Sequence, residues 1–143
     1  MYTMKQVGEE TGLAYETLKF YCNQGLIPYV KRDKNNRRVF DEHDLAWIKS
    51  LVCLKNCDMT IVEMKEYLQM CMAGKDSIPE RKIMLTKKQK ELKEKLASVQ
   101  EAIAYIDWKQ QFYDDVLSGK TKYYSNLLPD EKHLLLFFPV QWH

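Results

Sequence analysis

Between Pro79 and Gly119 the chain carries no glycine or further proline, and its apolar residues keep a heptad beat. Leu85, Gln89, Leu92, Leu96, Val99, Ile103, Ile106, Gln110, Tyr113 and Leu117 step by alternating fours and threes, with Lys and Glu outside the seam. That period lines one stripe of an α-helix and is the pattern of a coiled coil. Pro79 suits the first turn of such a helix. A helix of about 39 residues is about 58 Å long, and nothing else in so short a chain can cover its seam. Leu85, Leu92, Leu96, Val99, Ile103, Ile106 and Tyr113 are therefore expected to meet a second copy in a dimer. Gln89 and Gln110 either set register or mark where the seam opens.

Composition narrows the rest. Apolar residues make up 45% of the 143, enough to bury a core, and five Gly with four Pro favour helices over a turn-rich sandwich. Twenty-two basic against twenty acidic residues give +2, so only clustering of charge can speak of nucleic acid. No apolar run approaches the roughly 20 residues of a membrane span. Lys5, Glu9, Glu10 and Glu16 interrupt the region where a signal peptide needs its apolar stretch. Cys22, Cys53, Cys57 and Cys71 show no framework spacing, which reads as free thiols in the cytoplasm.

Residues 1–74 carry several short elements. Thr3 and Gln6 have the spacing of a capping box, and Gly12 ends a first helix. Tyr15 to Cys22 reads as a second, closed by Gly25, so the pair outlines a helix-turn-helix. Val30 to Phe40 holds Lys31-Arg32 and Arg37-Arg38 around the turn-prone Asp33-Lys34-Asn35-Asn36, the pattern of a basic β-hairpin wing. Asp41 stands as the N-cap of a third helix with Leu45, Ile48 and Val52 inward and Trp47, Leu51 and Leu54 widening that face. Asn56-Cys57-Asp58 breaks it. Thr60 and Glu63 form a second capping box, opening a fourth helix that Gly74 ends. The expected fold is all-α with a small β-wing: a winged helix-turn-helix domain over 1–74, a long dimerisation helix over 75–117, and a short apolar tail over 118–143.

Tyr2-Thr3-Met4-Lys5-Gln6-Val7, Thr11-Gly12-Leu13, Thr17-Leu18-Lys19-Phe20-Tyr21 and Gly25-Leu26-Ile27-Pro28 occur in the order and spacing seen in MerR-family transcriptional regulators. Arg32-Asp33, Asn36, Arg38 and Phe40 continue the likeness through the wing, and Asp44-Leu45 and Asp58-Met59-Thr60-Ile61 carry it to about residue 74. The chain resembles that family, and within it the thiol- and aldehyde-responsive subgroup, whose single cysteine falls at Cys53. The resemblance implies a homodimer with an antiparallel coil on a pseudo-palindromic promoter operator. It also implies activation by bending and untwisting an over-long promoter spacer until RNA polymerase engages it. The expected DNA contacts are Thr3, Tyr15, Glu16, Thr17, Lys19, Phe20, Tyr21, Arg32, Arg37 and Arg38.

Physical chemistry supports those roles independently. A recognition helix puts its N-terminal residues at base edges, which places Tyr15, Glu16 and Thr17 in the groove. Lys19, Tyr21, Arg37 and Arg38 are placed to reach phosphates, although Tyr21 also reads as core. Three positions depart from the family pattern: Lys19 stands for an Arg, Cys22 for an acid that would pair with nearby bases, and Asp58 for a Gly.

Cys53 has two readings. Lys49, one turn before it, favours a reactive thiolate, whereas a free cysteine is commonly a small core residue. As a sensor, its modification is expected to disturb packing between the third and fourth helices. No metal or other cofactor is expected: Cys53 and Cys57 fall short of a tetrahedral set, and His133 and His143 are isolated. No phosphate loop or Ser/His/Asp arrangement suggests an enzyme. The tail, Leu134 to Trp142, reads as a cover strip or, with Tyr123, Tyr124, Phe137, Phe138 and Trp142, as the lining of a pocket for a small apolar ligand. From another class, the coil alone would suit an adaptor that does not read DNA.

Overall fold

The structure, a computed structural model, describes residues 1–128. Its elements run β1 (Tyr2–Thr3), α1 (Met4–Thr11), α2 (Tyr15–Asn23), β2 (Lys31–Arg32), β3 (Arg38–Phe40), α3 (Glu42–Asn56), α4 (Ile61–Met72), a 3-10 turn (Lys75–Ser77) and α5 (Ile78–Leu117). The fold is the expected one, helical with a small sheet. Helix α5 runs unbroken for 40 residues.

Local signals act as the sequence indicated. The Thr3 hydroxyl accepts the Gln6 amide at 3.2 Å while the Gln6 side chain accepts the Thr3 amide at 2.9 Å, closing the first capping box. Gly12 takes φ 75 at the end of α1, a conformation costly for any residue with a Cβ. In the wing, Asn36 takes φ 59 and the Asp33 carboxylate accepts the amides of Asn35 and Arg37 at 2.8 and 3.0 Å. Asp41 caps α3 as expected. The reciprocal partner is Asp44, whose Oδ2 accepts the Asp41 amide at 2.9 Å.

One element was not foreseen. Strand β1 joins the wing hairpin on its β3 side, with Tyr2 opposite Phe40 and Thr3 opposite Val39, so the sheet has three strands in the order β1-β3-β2. Two residues are too few to display a period of two. Tertiary pairing alone creates that strand.

Residues 1–89 form one compact unit. Its core joins Val7 of α1, Leu18 of α2, Phe40 of β3, Met64 of α4 and the Leu45, Ile48, Leu51 and Leu54 stripe of α3. Val52, expected inward, is only partly buried, because Leu51 holds the inner position. The indole Nε1 of Trp47 donates to the Leu26 carbonyl at 2.7 Å and ties α3 to the segment after α2. The α3–α4 turn passes through Asp58 at φ 60, where the family pattern has glycine.

The first turns of α5 are fastened to α4. The Ser77 hydroxyl donates to the carbonyls of Met70 and Gly74, and Arg81 donates to Gly74 at 2.6 Å. These groups satisfy and charge-balance the end of α4. Lys88, a buried lysine, pairs with Glu63 at 3.0 Å. That carboxylate also completes the α4 capping box at Thr60, and both contacts hold its pKa below the usual range, the Thr60 amide most.

Along α5, the seam residues Leu85, Leu96, Val99, Ile103, Ile106, Tyr113 and Leu117 are 40% to 86% exposed within the single chain. In the second unit, from Lys90 onward, the chain reverses after α5 through Gly119 at φ 78. The expected strip Leu134 to Trp142 lies outside the described residues.

Candidate nucleic-acid interface

Helix α2 sorts its residues by the 3.6 period. Leu18 and Tyr21 are buried, while Tyr15 (57% exposed), Glu16, Lys19 and Phe20 (45%) face water and Thr17 is half-buried. The N-cap, Ala14, offers no side-chain acceptor, so the amides at this helix start are left to solvent or to an anion. The exposed face therefore contains the residues proposed for base edges. Tyr21 is different: at 3% exposure its ring belongs to the core, and burial pushes its hydroxyl pKa up. Of its two sequence readings, the core placement is the one observed.

Beside that face stands the wing. Arg37 is exposed at the hairpin, and Arg32 is exposed with its guanidinium donating to the Asn36 carbonyl at 2.9 Å. Arg38 is half-buried and donates to the Asn23 side-chain oxygen at 2.7 Å. Lys31 is occupied differently: it pairs with Asp41 at 2.8 Å, and that ammonium, with the Asp44 amide, lowers the Asp41 pKa to about 2. Thr3 is exposed, with its hydroxyl engaged at the start of α1.

The Cys22 departure now has a local account. The half-buried thiol is raised in pKa chiefly by burial, and Arg38 and Arg32 pull it the other way. An acid at that position would face these two guanidinium groups. In this chain the neighbouring Asn23 supplies the hydrogen bond to Arg38 instead. Sequence reasoning missed Asn23 because an exposed amide at a helix end carries no periodic signal. It also missed the bond from Lys65 of α4 to Gln24, at 2.8 Å, which links α4 to the end of the recognition helix.

Cys53 is exposed on α3. The buried stripe of that helix runs through 45, 48, 51 and 54, so the core reading of Cys53 does not hold in the single chain. Cys57 follows one turn later, its amide donating to the Cys53 carbonyl at 3.1 Å. Among the described residues no three His, Cys, Asp or Glu side chains are placed to hold a metal ion. No helix there is long and apolar enough to cross a membrane.

An exposed second helix of a helix-turn-helix, flanked by a cationic wing, defines a winged helix-turn-helix DNA-binding protein. Residues 2–71 match the MerR HTH family of regulatory proteins. An HTH-type transcriptional regulator of Haemophilus influenzae is 33% identical over 112 residues, covering 78% of this chain and 83% of that protein. The Bacillus subtilis regulator AdhR is 35% identical over 87 residues, 61% of this chain and 62% of AdhR. Among solved structures, HiNmlR, described as a MerR family regulator lacking the sensor domain and bound to promoter DNA, superposes with a TM-score of 0.68. It is 32% identical, across 82% of this chain and 93% of that one. A MerR family regulator from Listeria monocytogenes gives a TM-score of 0.72 at 28% identity, across 84% and 91%. The chain belongs to the MerR family of helix-turn-helix transcriptional regulators and is not an enzyme.

Proposed function

We propose that this regulator binds a pseudo-palindromic promoter operator as a homodimer and switches transcription by deforming the DNA between its half-sites. One observation carries the reading: α2 exposes Tyr15, Glu16, Lys19 and Phe20 beside the Arg32, Arg37 and Arg38 wing. Residues 1–74 would hold the DNA, 75–117 the partner chain and 118–143 the tail. Tyr15 and Thr17 would read bases, and Lys19 with the wing arginines would hold phosphates. The exposed heptad seam supports pairing of two α5 helices, antiparallel as the family resemblance implies. Bending the promoter would bring its two elements into register for RNA polymerase.

Cys53 would sense thiol-reactive or aldehyde stress; its exposed position on α3 makes it accessible to such reagents. A second reading, a small apolar effector at the end of α5, draws on the clefts around Trp108 and Phe112. The coil-only adaptor has no counterpart to the exposed recognition face. Fluorescence anisotropy with an inverted-repeat promoter duplex and a random duplex tests the central claim. Tighter binding to the repeat, with affinity falling steeply in salt, is expected. Equal, salt-insensitive binding to both would refute it.

A further inference from the structure

Helix α5 has a second face besides its exposed seam. Arg81 donates to the Gly74 carbonyl at the end of α4, Met84 packs against the core, and Lys88 is buried to 8% exposure beside Glu63 at the start of α4. The opening turns of α5 are therefore fastened at both ends of α4. The first turn of α4 also reaches the other way. Lys65, two residues after Glu63, donates to the Gln24 side-chain oxygen at 2.8 Å, and Gln24 is the C-cap of α2. Residues two apart do not share a helix face, so this one turn holds α5 on one side and the recognition helix on the other. Glu63 itself is used twice. Its Oε1 accepts the Thr60 amide at 2.9 Å, and both carboxylate oxygens lie within 3.1 Å of the Lys88 ammonium. A glutamine serves equally in a capping box. The negative charge is what answers Lys88, whose burial without a counter-charge is costly.

We propose that Glu63 and Lys88 are positioning residues that set the half-site spacing this regulator accepts. The inference rests on the dimeric operator reading above and names the residues that make it selective for spacing. The heptad seam continues past Gln89, so in a dimer each recognition helix is joined to the partner chain through α4 and the opening turns of α5. A firm joint holds the two recognition helices at one separation, whereas a loose joint lets them follow the DNA. One added base pair moves a half-site by about 3.4 Å and turns it by about 34°, a change that a firm joint rejects. The Glu63–Lys88 pair supplies that firmness because it is charged, largely shielded from water and built onto a helix start that its own carboxylate already fixes.

The test uses the full chain and the inverted repeat that the wild-type protein selects from a randomised duplex pool, remade with one base pair added or removed at its centre. Anisotropy titrations give the ratio of affinities for the selected and the altered spacings. Glu63→Gln keeps the cap acceptor and removes the charge. Glu63→Gln with Lys88→Met also removes the unpaired buried ammonium, and it is the variant to read where the single one melts early. Both are expected to lower the spacing ratio several-fold with base preference inside each half-site unchanged. Lys88→Arg keeps the ion pair and should retain the wild-type ratio. A purely stabilising pair would lower the melting temperature or weaken binding to every duplex alike. An unchanged ratio in the double variant, or an equal loss of affinity at all spacings, overturns the proposal. A wild-type chain that selects single half-sites and no inverted repeat overturns the dimeric operator reading, and this proposal with it.

Discussion

The guanidinium of Arg38 is held by the side-chain oxygen of Asn23 at 2.7 Å, a bond from the wing to the last residue of the recognition helix. A neutral amide orients the cation without cancelling its charge, which leaves that charge for a phosphate.

Arg38→Ala should weaken binding to cognate and random duplex about equally and reduce the salt slope by about one. Asn23→Ala should weaken binding less and preserve the slope, since the charge remains; Asn23→Asp should lower the slope by neutralising it. Tyr15→Ala or Thr17→Ala should relax base preference. Anisotropy titrations at several salt concentrations separate these outcomes, and an Arg38→Ala protein with altered base preference and an unchanged slope would reverse the assignment.

Dimerisation should fail when charge enters the seam. Leu96 and Ile103 are 57% and 54% exposed in the single chain, so Leu96→Glu with Ile103→Glu should leave the monomer folded while disfavouring burial of the seam. Analytical ultracentrifugation at micromolar concentration is expected to show monomers, with operator binding lost. Persistent dimers would place the interface elsewhere.

Acid should loosen the start of α3. Asp41 has a folded pKa of about 2, held there first by Lys31 and then by the Asp44 amide. A depressed carboxylate contributes stability above its unfolded pKa and loses it as pH falls through the folded value. The contribution is therefore expected to disappear between about pH 5 and pH 2. Glu63, lowered by Thr60 and Lys88, acts in the same direction. Asn also caps helices, so Asp41→Asn should melt lower than wild type at neutral pH and converge with it in acid. Parallel melting curves at every pH would show that the pair contributes nothing.

Thiol reactivity should follow exposure. Cys53 is exposed, whereas Cys22 is half-buried with a raised pKa. Mass spectrometry after mild diamide or aldehyde treatment should find Cys53 modified first and Cys22 after it. Cys53→Ala should keep operator binding yet lose inducer-dependent transcription. A normal response from that variant would remove Cys53 from sensing.

Residue order alone was enough for the local devices: the Thr3–Gln6 and Thr60–Glu63 boxes, the Gly12 stop, the wing turn at Asn36 and the heptad seam of α5. Each depends on atoms a few residues apart or on a repeat sustained over many turns, so the information is written along the chain. The exposed face of α2 was legible for the same reason, since the 3.6 period separates Tyr15 and Lys19 from Leu18. Tertiary structure decided what distant segments meet. It made Tyr2–Thr3 a strand by setting it against β3, gave Tyr21 to the core and Cys53 to the surface, handed Arg38 to Asn23 and paired Lys88 with Glu63 across 25 residues. None of these has a period or a spacing to read; each arises because packing the core brings together groups that the sequence keeps apart.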